Sequence, residues 1–175
     1  MTTDDYLSTP ETTKRRELLH GVVREPPAPF YSHQLLVTRL TVLLDAHVRA
    51  GRLGSVCVSP VDVVLDAGRH LVVQPNVIFV SNARASIIDR QVWGAPDLVV
   101  EVLSPGTARH DSQVKLRWYR KYGVSECWLV HPAAETVEVV HLAGPRPRRR
   151  THRSERVRSC VLPDLVLPVR DIFTE

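Results

Sequence analysis

The residues with the clearest capacity for chemistry are a glutamate inside an apolar segment and a lysine in the helix predicted after it. Glu101 interrupts the run LVVEVL at residues 98–103, which is typical of a buried strand. A buried carboxylate must pair with a cation, bind a metal or take up a proton. Lys115 follows in a helix that, after the turn SPGT, should pack back over this strand. The pair is therefore either a structural salt bridge or part of a metal site, and the residues alone leave both open.

The helix that carries Lys115 places two further polar side chains beside it. Asp111, Lys115 and Tyr119 are spaced four residues apart and so share one helix face. They form either an ordinary helical ion pair with an aromatic contact, or a face that delivers a lysine to the carboxylate end of a metal site.

A second apolar segment also contains polar residues that require an explanation. The stretch HLVVQPNVIFV, residues 70–80, is typical of a strand buried on both faces, but Gln74, Pro75 and Asn76 interrupt it. A buried amide without partners costs about 1–3 kcal/mol, so we expect Asn76 to have a specific role. Taken singly, Glu17 in RRELL is more typical of a surface charge, and His33 of a first-turn surface residue.

These residues lie in elements that alternate along the chain. We predict one domain over residues 1–175 with an α/β fold, in which helices flank a mixed sheet. A short first helix should end at Pro10, two short strands should turn at His20-Gly21, and Ser32 should cap a long helix. The segments SECWLVHP and TVEVVHLAG predict a hairpin that follows the Lys115 helix.

The composition is ordinary for a globular protein. Of 175 residues 43% are hydrophobic and 24% charged, which suffices for a sizeable core. No segment approaches the ~20 apolar residues of a membrane span, and the amino terminus is polar and acidic, so we expect a soluble cytoplasmic protein. The spacing of cysteines and histidines predicts no structural zinc, and Cys57 and Cys127 should be small buried hydrophobic residues.

Positive charge is concentrated near the carboxyl terminus. Residues 144–158 hold seven arginines against one glutamate, a local balance of +6, which leaves −2 for the remainder of a chain with net charge +4. We predict a basic loop at about residues 144–158, which is either merely solvated or binds phosphate. The candidate nucleic-acid contacts are Arg146, Arg148, Arg149, Arg150 and Arg153.

Taken together, these segments resemble the Uma2 family of restriction-endonuclease-like proteins in the PD-(D/E)XK nuclease superfamily. The resemblance rests on RRELLHGVV, YSHQLLVTRL, QPNVIFV, GAPDLVVEVLSPGT and HDSQVKLRWYRKYG, and it extends over nearly the whole chain. It implies a restriction-endonuclease-like core and a DNA endonuclease that uses Mg²⁺ or Mn²⁺ to polarise the phosphate and activate water. Homodimers are common among such nucleases and are expected here by analogy.

The resemblance also assigns roles to individual residues. It implies that Glu17, Asn76 and Glu101 are metal ligands, that Glu17, Glu101 and Lys115 are catalytic, and that Gln74, His33, Asp111 and Tyr119 support them. Lys115 comes from the helix because Leu103 occupies the place expected for the motif lysine. Asn76 occupies the place where the family typically has aspartate, and Asp97, at the entry of the Glu101 strand, is not the motif residue.

Asn76 keeps a second function open. An amide offers a neutral oxygen, whereas Mg²⁺ favours carboxylate and water oxygens. The alternative to an endonuclease is therefore a catalytically inactive nuclease-fold protein that binds nucleic acid or a protein partner.

Overall fold

The described part of the chain contains four α-helices and thirteen short strands. The structure is a computed structural model, and it describes residues 1–104 and 110–174, without the side chains of His110 and Asp111. The predicted role of Asp111 thus lies outside the described residues. Among the helices of these residues, none combines the length and the apolar character needed to cross a lipid bilayer. The helices are α1 (Thr3–Leu7), α2 (Tyr31–Gly51), α3 (Leu116–Tyr122) and α4 (Val169–Phe173).

The strands form a five-stranded sheet, a six-stranded sheet and a two-stranded ribbon. In chain order they are β1 (Glu17–Leu19), β2 (Val22–Arg24), β3 (Gly54–Val58), β4 (Val63–Asp66), β5 (Leu71–Val73), β6 (Val77–Ser81), β7 (Val92–Trp93), β8 (Leu98–Val102), β9 (Glu126–His131), β10 (Thr136–His141), β11 (Arg148–His152), β12 (Arg156–Arg158) and β13 (Val166–Pro168). The strand orders are β2-β1-β5-β4-β7 and β11-β10-β9-β8-β6-β3, and β12 pairs with β13. Among the strand pairs of the described residues, only β4–β7 and β8–β9 are parallel. The predicted class, mixed sheets flanked by helices, is confirmed.

The interruption at residues 74–76 is the crossing between the two large sheets. β5 pairs with β1 and β4 in the five-stranded sheet, whereas β6 pairs with β3 and β8 in the six-stranded sheet. The sequence predicted one sheet, but Pro75 separates two. Gln74 therefore follows the last residue of β5 in the five-stranded sheet, and Asn76 precedes the first residue of β6 in the six-stranded sheet.

The six-stranded sheet is buried on both faces. Val77 and Phe79 of β6 pack with α2 in one core cluster, whereas Ile78 and Val80 pack with α3 and the five-stranded sheet in another. This alternation confirms that the segment is a strand buried on both sides. Cys127 is fully buried as predicted, but Cys57 is exposed, because it lies on the edge strand β3.

The helix ends follow local capping rules, with one correction. Thr2 caps α1 in a capping box with Asp5, and α3 ends at Gly123, whose φ of 97° suits glycine. The predicted cap at Ser32 is wrong, since α2 already begins at Tyr31 after the extended Phe30 and has no side-chain cap. His33 lies on the buried face of α2, together with Leu36, Val37 and Leu40.

Candidate active site

Strands β1 and β8 and the beginning of α3 bring Glu17, Glu101, Lys115 and Tyr119 together. Leu18 of β1 faces the small cluster formed with α1, and Glu17 therefore points to the opposite side, toward α3. Glu101 of β8 points to the face on which α3 lies. Lys115 directly precedes α3, and Tyr119 lies one turn further along. All four side chains are buried, with Glu101 and Tyr119 at 0% exposure.

Lys115 joins the two carboxylates. Its Nζ lies 2.6 Å from Oε1 of Glu17 and 3.2 Å from Oε1 of Glu101. The same Glu101 oxygen accepts a hydrogen bond of 2.5 Å from the Tyr119 hydroxyl. Lys115 and Tyr119 therefore act on one oxygen of Glu101 from one helix face, as their spacing of four predicted. Glu17 is at the centre of this cluster, so its interpretation as a surface charge is wrong.

Arg15 supplies a second cation that the sequence analysis did not include. Its guanidinium lies 3.6 Å from Oε2 of Glu101 and 3.8 Å from Oε1 of Glu17, and it donates a 2.7 Å hydrogen bond to the backbone carbonyl of Gln74. The available signal was its position two residues before Glu17, which places both on the same side of an extended chain. Arg15 and Lys115 thus place two cationic side chains beside the two acidic ones, Glu17 and Glu101.

Gln74 holds the first strand against the crossing between the sheets. Its backbone N–H donates to Oε1 of Glu17 at 2.9 Å, and its side chain accepts from the backbone N–H of Arg16 and donates to Asp62. Gln74 therefore positions Glu17 through the backbone and does not bring its own side chain to the carboxylates. A pocket of about 820 Å³ opens on the side-chain network of Gln74, Arg16 and Asp62; Glu17, Glu101 and Lys115 are not among its lining residues.

Asn76 directly precedes β6, the strand that pairs with the Glu101 strand. β6 and β8 are antiparallel, with the pairs Val77↔Val100 and Ile78↔Val99. The same register, extended by one residue, places Asn76 opposite Glu101. Its Oδ1 accepts a 2.8 Å hydrogen bond from the backbone N–H of Val102. Nε2 of His33 lies 3.0 Å from the backbone carbonyl oxygen of the same residue, Val102. His33 is thus buried against β8, and its interpretation as a surface residue is wrong.

The charges around Glu17 set its protonation state. Burial by itself raises the pKa of this carboxyl, but the positive charges of Lys115 and Arg15 and the hydrogen bonds from Lys115 and Gln74 outweigh it, and the net pKa is lowered. Burial, together with Glu101 and Glu17, raises the pKa of Tyr119 well above its usual value. At neutral pH Glu17 is therefore ionised, whereas Tyr119 keeps its proton and can donate a hydrogen bond with it.

We predict an acid-sensitive contribution of Glu17 to stability. A carboxyl whose pKa is lowered by folding stabilises the protein above its unfolded pKa, and this contribution is lost as the pH falls through the folded pKa. The free energy of unfolding should therefore decline as the pH falls below the usual value of 4.5. Urea unfolding of wild type and Glu17→Gln from pH 7 to 3 should show a shallower decline in the variant. The exposed Glu135→Gln should follow wild type, and equal slopes for Glu17→Gln and wild type would contradict the assignment.

The sequence as a whole matches the family described as "Putative restriction endonuclease", Uma2, over residues 3–170. This match extends over nearly all of the chain. The chain belongs to the Uma2 family. Among solved structures, a crystal structure from Anabaena variabilis, described as "a putative nuclease belonging to DUF820", is similar with a TM-score of 0.82 at 19% identity. The match covers 99% of this chain and 98% of that one, so the two share their fold. No curated protein matches the sequence.

Within this Uma2 chain, the oxygen donors of the cluster suit a hard divalent cation in kind. Glu17 and Glu101 offer carboxylate oxygens, and Asn76 offers an amide oxygen. Asn76 is the weakest of the three donors, because its amide carries no charge and its Oδ1 already accepts the Val102 N–H. The donor set therefore fits Mg²⁺ or Mn²⁺ with one charge fewer than three carboxylates would give.

The arginine segment, expected as a loop, instead contains β11 and β12. β11 is an edge strand, separated from the Glu101 strand by β9 and β10, or about 14 Å at the usual strand spacing. Paired residues share a face, and the pairs Glu101↔Leu129, Leu129↔Glu138 and Glu138↔Thr151 connect one face across these strands. Arg149 lies on this face and pairs with Glu138 at 3.1 Å. Arg148 and Arg150 lie on the opposite face, and Arg146 and Arg153 lie outside the strand.

Proposed function

We propose that this protein is a metal-dependent endonuclease that hydrolyses phosphodiester bonds in DNA. Membership of the Uma2 family supports a nuclease, and the buried cluster of Glu17, Glu101, Lys115 and Tyr119 is the observation that carries the proposal. Evolution toward a structural core alone would favour apolar side chains here, because a buried ion pair is often no more stable than a packed hydrophobic replacement. A buried pair at a position that an apolar side chain could fill therefore supports a chemical role.

Glu17, Glu101 and Asn76 would hold the ion within this buried cluster. When bound, a divalent ion polarises the scissile phosphate and lowers the pKa of its water. The residues of the chain do the remaining work. Lys115 neutralises both carboxylates in its present position, and its ammonium can stabilise charge that develops on the phosphate. Tyr119 fixes the orientation of Glu101 through a hydrogen bond. Only the protonated hydroxyl of Tyr119 can donate this bond.

The exposed arginines would contact the phosphate backbone of the substrate. Arg149 is the best placed of the five, because it lies on the sheet face of Glu101. Contacts of this kind make binding steeply dependent on salt and indifferent to base sequence. We also propose, by analogy alone, a cytoplasmic homodimer, since cutting both strands of a duplex requires two sites.

A cleavage assay tests the proposal. Plasmid and oligonucleotide DNA should be cut by wild type in the presence of Mg²⁺ or Mn²⁺ and remain intact with EDTA. Removal of groups around metal ligands typically costs 10–100-fold, so loss of a ligand in Glu101→Gln should reduce cleavage by at least about 100-fold. Glu135→Gln removes one exposed carboxylate and should cut like wild type. Cleavage that survives in Glu101→Gln, or that does not require a metal, would reject this site.

Asn76 favours the second function, a nuclease fold that binds DNA without cutting it. If wild type and Glu101→Gln are both inactive, a gel shift at several salt concentrations decides whether DNA binding persists. Retention that weakens steeply with salt and with Arg149→Ala would support the binding protein. Arg170→Ala is the matched control, because Arg170 is exposed on α4, outside the arginine segment, and pairs with Asp171 as Arg149 pairs with Glu138.

A further inference from the structure

A second cluster of ligand-type side chains lies on the opposite face of the six-stranded sheet. Glu126 begins β9, His141 ends β10, and Cys160 follows β12. One ligand atom from each residue lies within 4.8 Å of the other two, the single such group of three found among the described residues. The chain spacing of these residues shows no metal motif, because three separate segments supply them.

The sheet register fixes two of the three side chains. Glu126 and His141 are direct partners in the antiparallel pair of β9 and β10, so their side chains project side by side from one face. Cys160 is attached to Glu126 through its backbone, whose N–H donates to Oε2 at 2.8 Å. The thiol sulfur then lies 2.5 Å from Oε2 of Glu126 and 2.8 Å from Nδ1 of His141.

The carboxylate of Glu126 is held in one orientation from behind. Its Oε1 accepts hydrogen bonds of 2.7 Å from the Trp128 indole and from the Ser159 hydroxyl. Its Oε2 is thereby turned toward Cys160 and His141. Hydrogen bonds to the distant oxygen of a carboxylate are the typical support of a metal ligand. The same contacts would also serve a purely structural hydrogen-bond cluster, which is the alternative to be tested.

A pocket gives access to this cluster from solvent. It measures about 260 Å³, and its lining includes the three residues and four arginines, Arg148, Arg149, Arg150 and Arg158. Glu126 is fully buried, His141 is half-buried and Cys160 is exposed, so the group is closed on the inner side and open on the outer side. Three protein ligands and one open position are the arrangement of a tetrahedral zinc site that exchanges its fourth ligand.

We propose that Glu126, His141 and Cys160 form a zinc-binding site whose fourth position faces an arginine-lined pocket. Thiolate and imidazole ligands select Zn²⁺ over Mg²⁺, which takes oxygen ligands. The carboxylate and the thiolate balance the charge of the ion, so neighbouring arginines do not oppose its binding and instead favour an anion at the open position. This site is independent of the endonuclease cluster, which lies on the other face of the sheet.

Cobalt provides the test, because a Co²⁺–thiolate bond has a charge-transfer absorption that oxygen and nitrogen ligands lack. Metal-free full-length protein titrated with Co²⁺ should develop this band and tetrahedral visible absorption at about one ion per chain, and Zn²⁺ should remove both. Cys160→Ser should abolish the band, and His141→Gln should weaken Co²⁺ binding by at least about tenfold. Cys57→Ser, which removes the other exposed cysteine, should behave as wild type.

A loss of Co²⁺ binding in a variant must be distinguished from a loss of its folding. Far-ultraviolet circular dichroism of each variant confirms that it is folded, and His141→Gln tests the site even if Cys160→Ser does not fold. A wild type without the charge-transfer band, or a band that persists in Cys160→Ser, would overturn the zinc site and leave a hydrogen-bond cluster. None of these readouts depends on DNA cleavage.

Discussion

Replacing Asn76 by aspartate should increase both metal affinity and the rate of DNA cleavage by about tenfold or more. The new carboxylate would directly precede β6, the neighbour of the Glu101 strand, where the amide now offers only a neutral oxygen. One unit charge at about 4 Å from another is worth about 4 kcal/mol at an effective dielectric constant of 20. Desolvation of the buried carboxylate offsets most of this gain. The hydrogen bond from the Val102 N–H can persist, since a carboxylate accepts it as well as an amide does.

Cleavage rates measured over a range of Mg²⁺ concentrations test this prediction, with the half-saturating concentration as the readout. Asn82→Asp makes the same chemical change at an exposed asparagine and controls for net charge. If Asn76→Asp is active and wild type is not, this protein is a nuclease silenced at one ligand. If Asn76→Asp changes neither the rate nor the half-saturating concentration, residue 76 is not a metal ligand.

The part of the site that the sequence predicts is the part set by local geometry. A helix after a strand packs back over it, and residues four apart share a helix face. These two rules placed Lys115 and Tyr119 next to Glu101, and the contacts of 3.2 and 2.5 Å confirm that placement. Their chemical roles stay predictions.

The part that the sequence does not predict depends on pairing between distant segments. β1 has only three residues, too few for a periodic pattern, so nothing in the local sequence shows which side of it is buried. Glu17 is buried because β1 pairs with β5 and faces Lys115. The division into two sheets at Pro75 has the same origin, since a proline shows a break but not the partners of the strands on either side. Arg15 was missed because its partners lie on β1 and β8.

Replacing Lys115 by methionine should reduce the free energy of unfolding by about 3–5 kcal/mol. Methionine keeps the length and most of the volume of lysine, so packing is largely preserved. The loss is electrostatic, because two buried carboxylates lose an ammonium group that lies 2.6 and 3.2 Å from them. Urea unfolding at pH 7 measures the effect. Lys121→Met alters an exposed lysine on the same helix and should cost well under 1 kcal/mol.

A double variant separates this electrostatic loss from a packing defect. Glu17→Gln removes one of the two charges that Lys115 compensates, so it should recover part of the stability lost in Lys115→Met. The coupling energy for two groups in such direct contact should reach the upper part of the usual 0.5–3 kcal/mol, about 2 kcal/mol. Additive effects would show that Lys115→Met destabilises through packing, and the 2.6 Å contact would then carry little of the stability of the cluster. A coupled pair would mean that stability and the charge balance of the candidate active site depend on the same ammonium group.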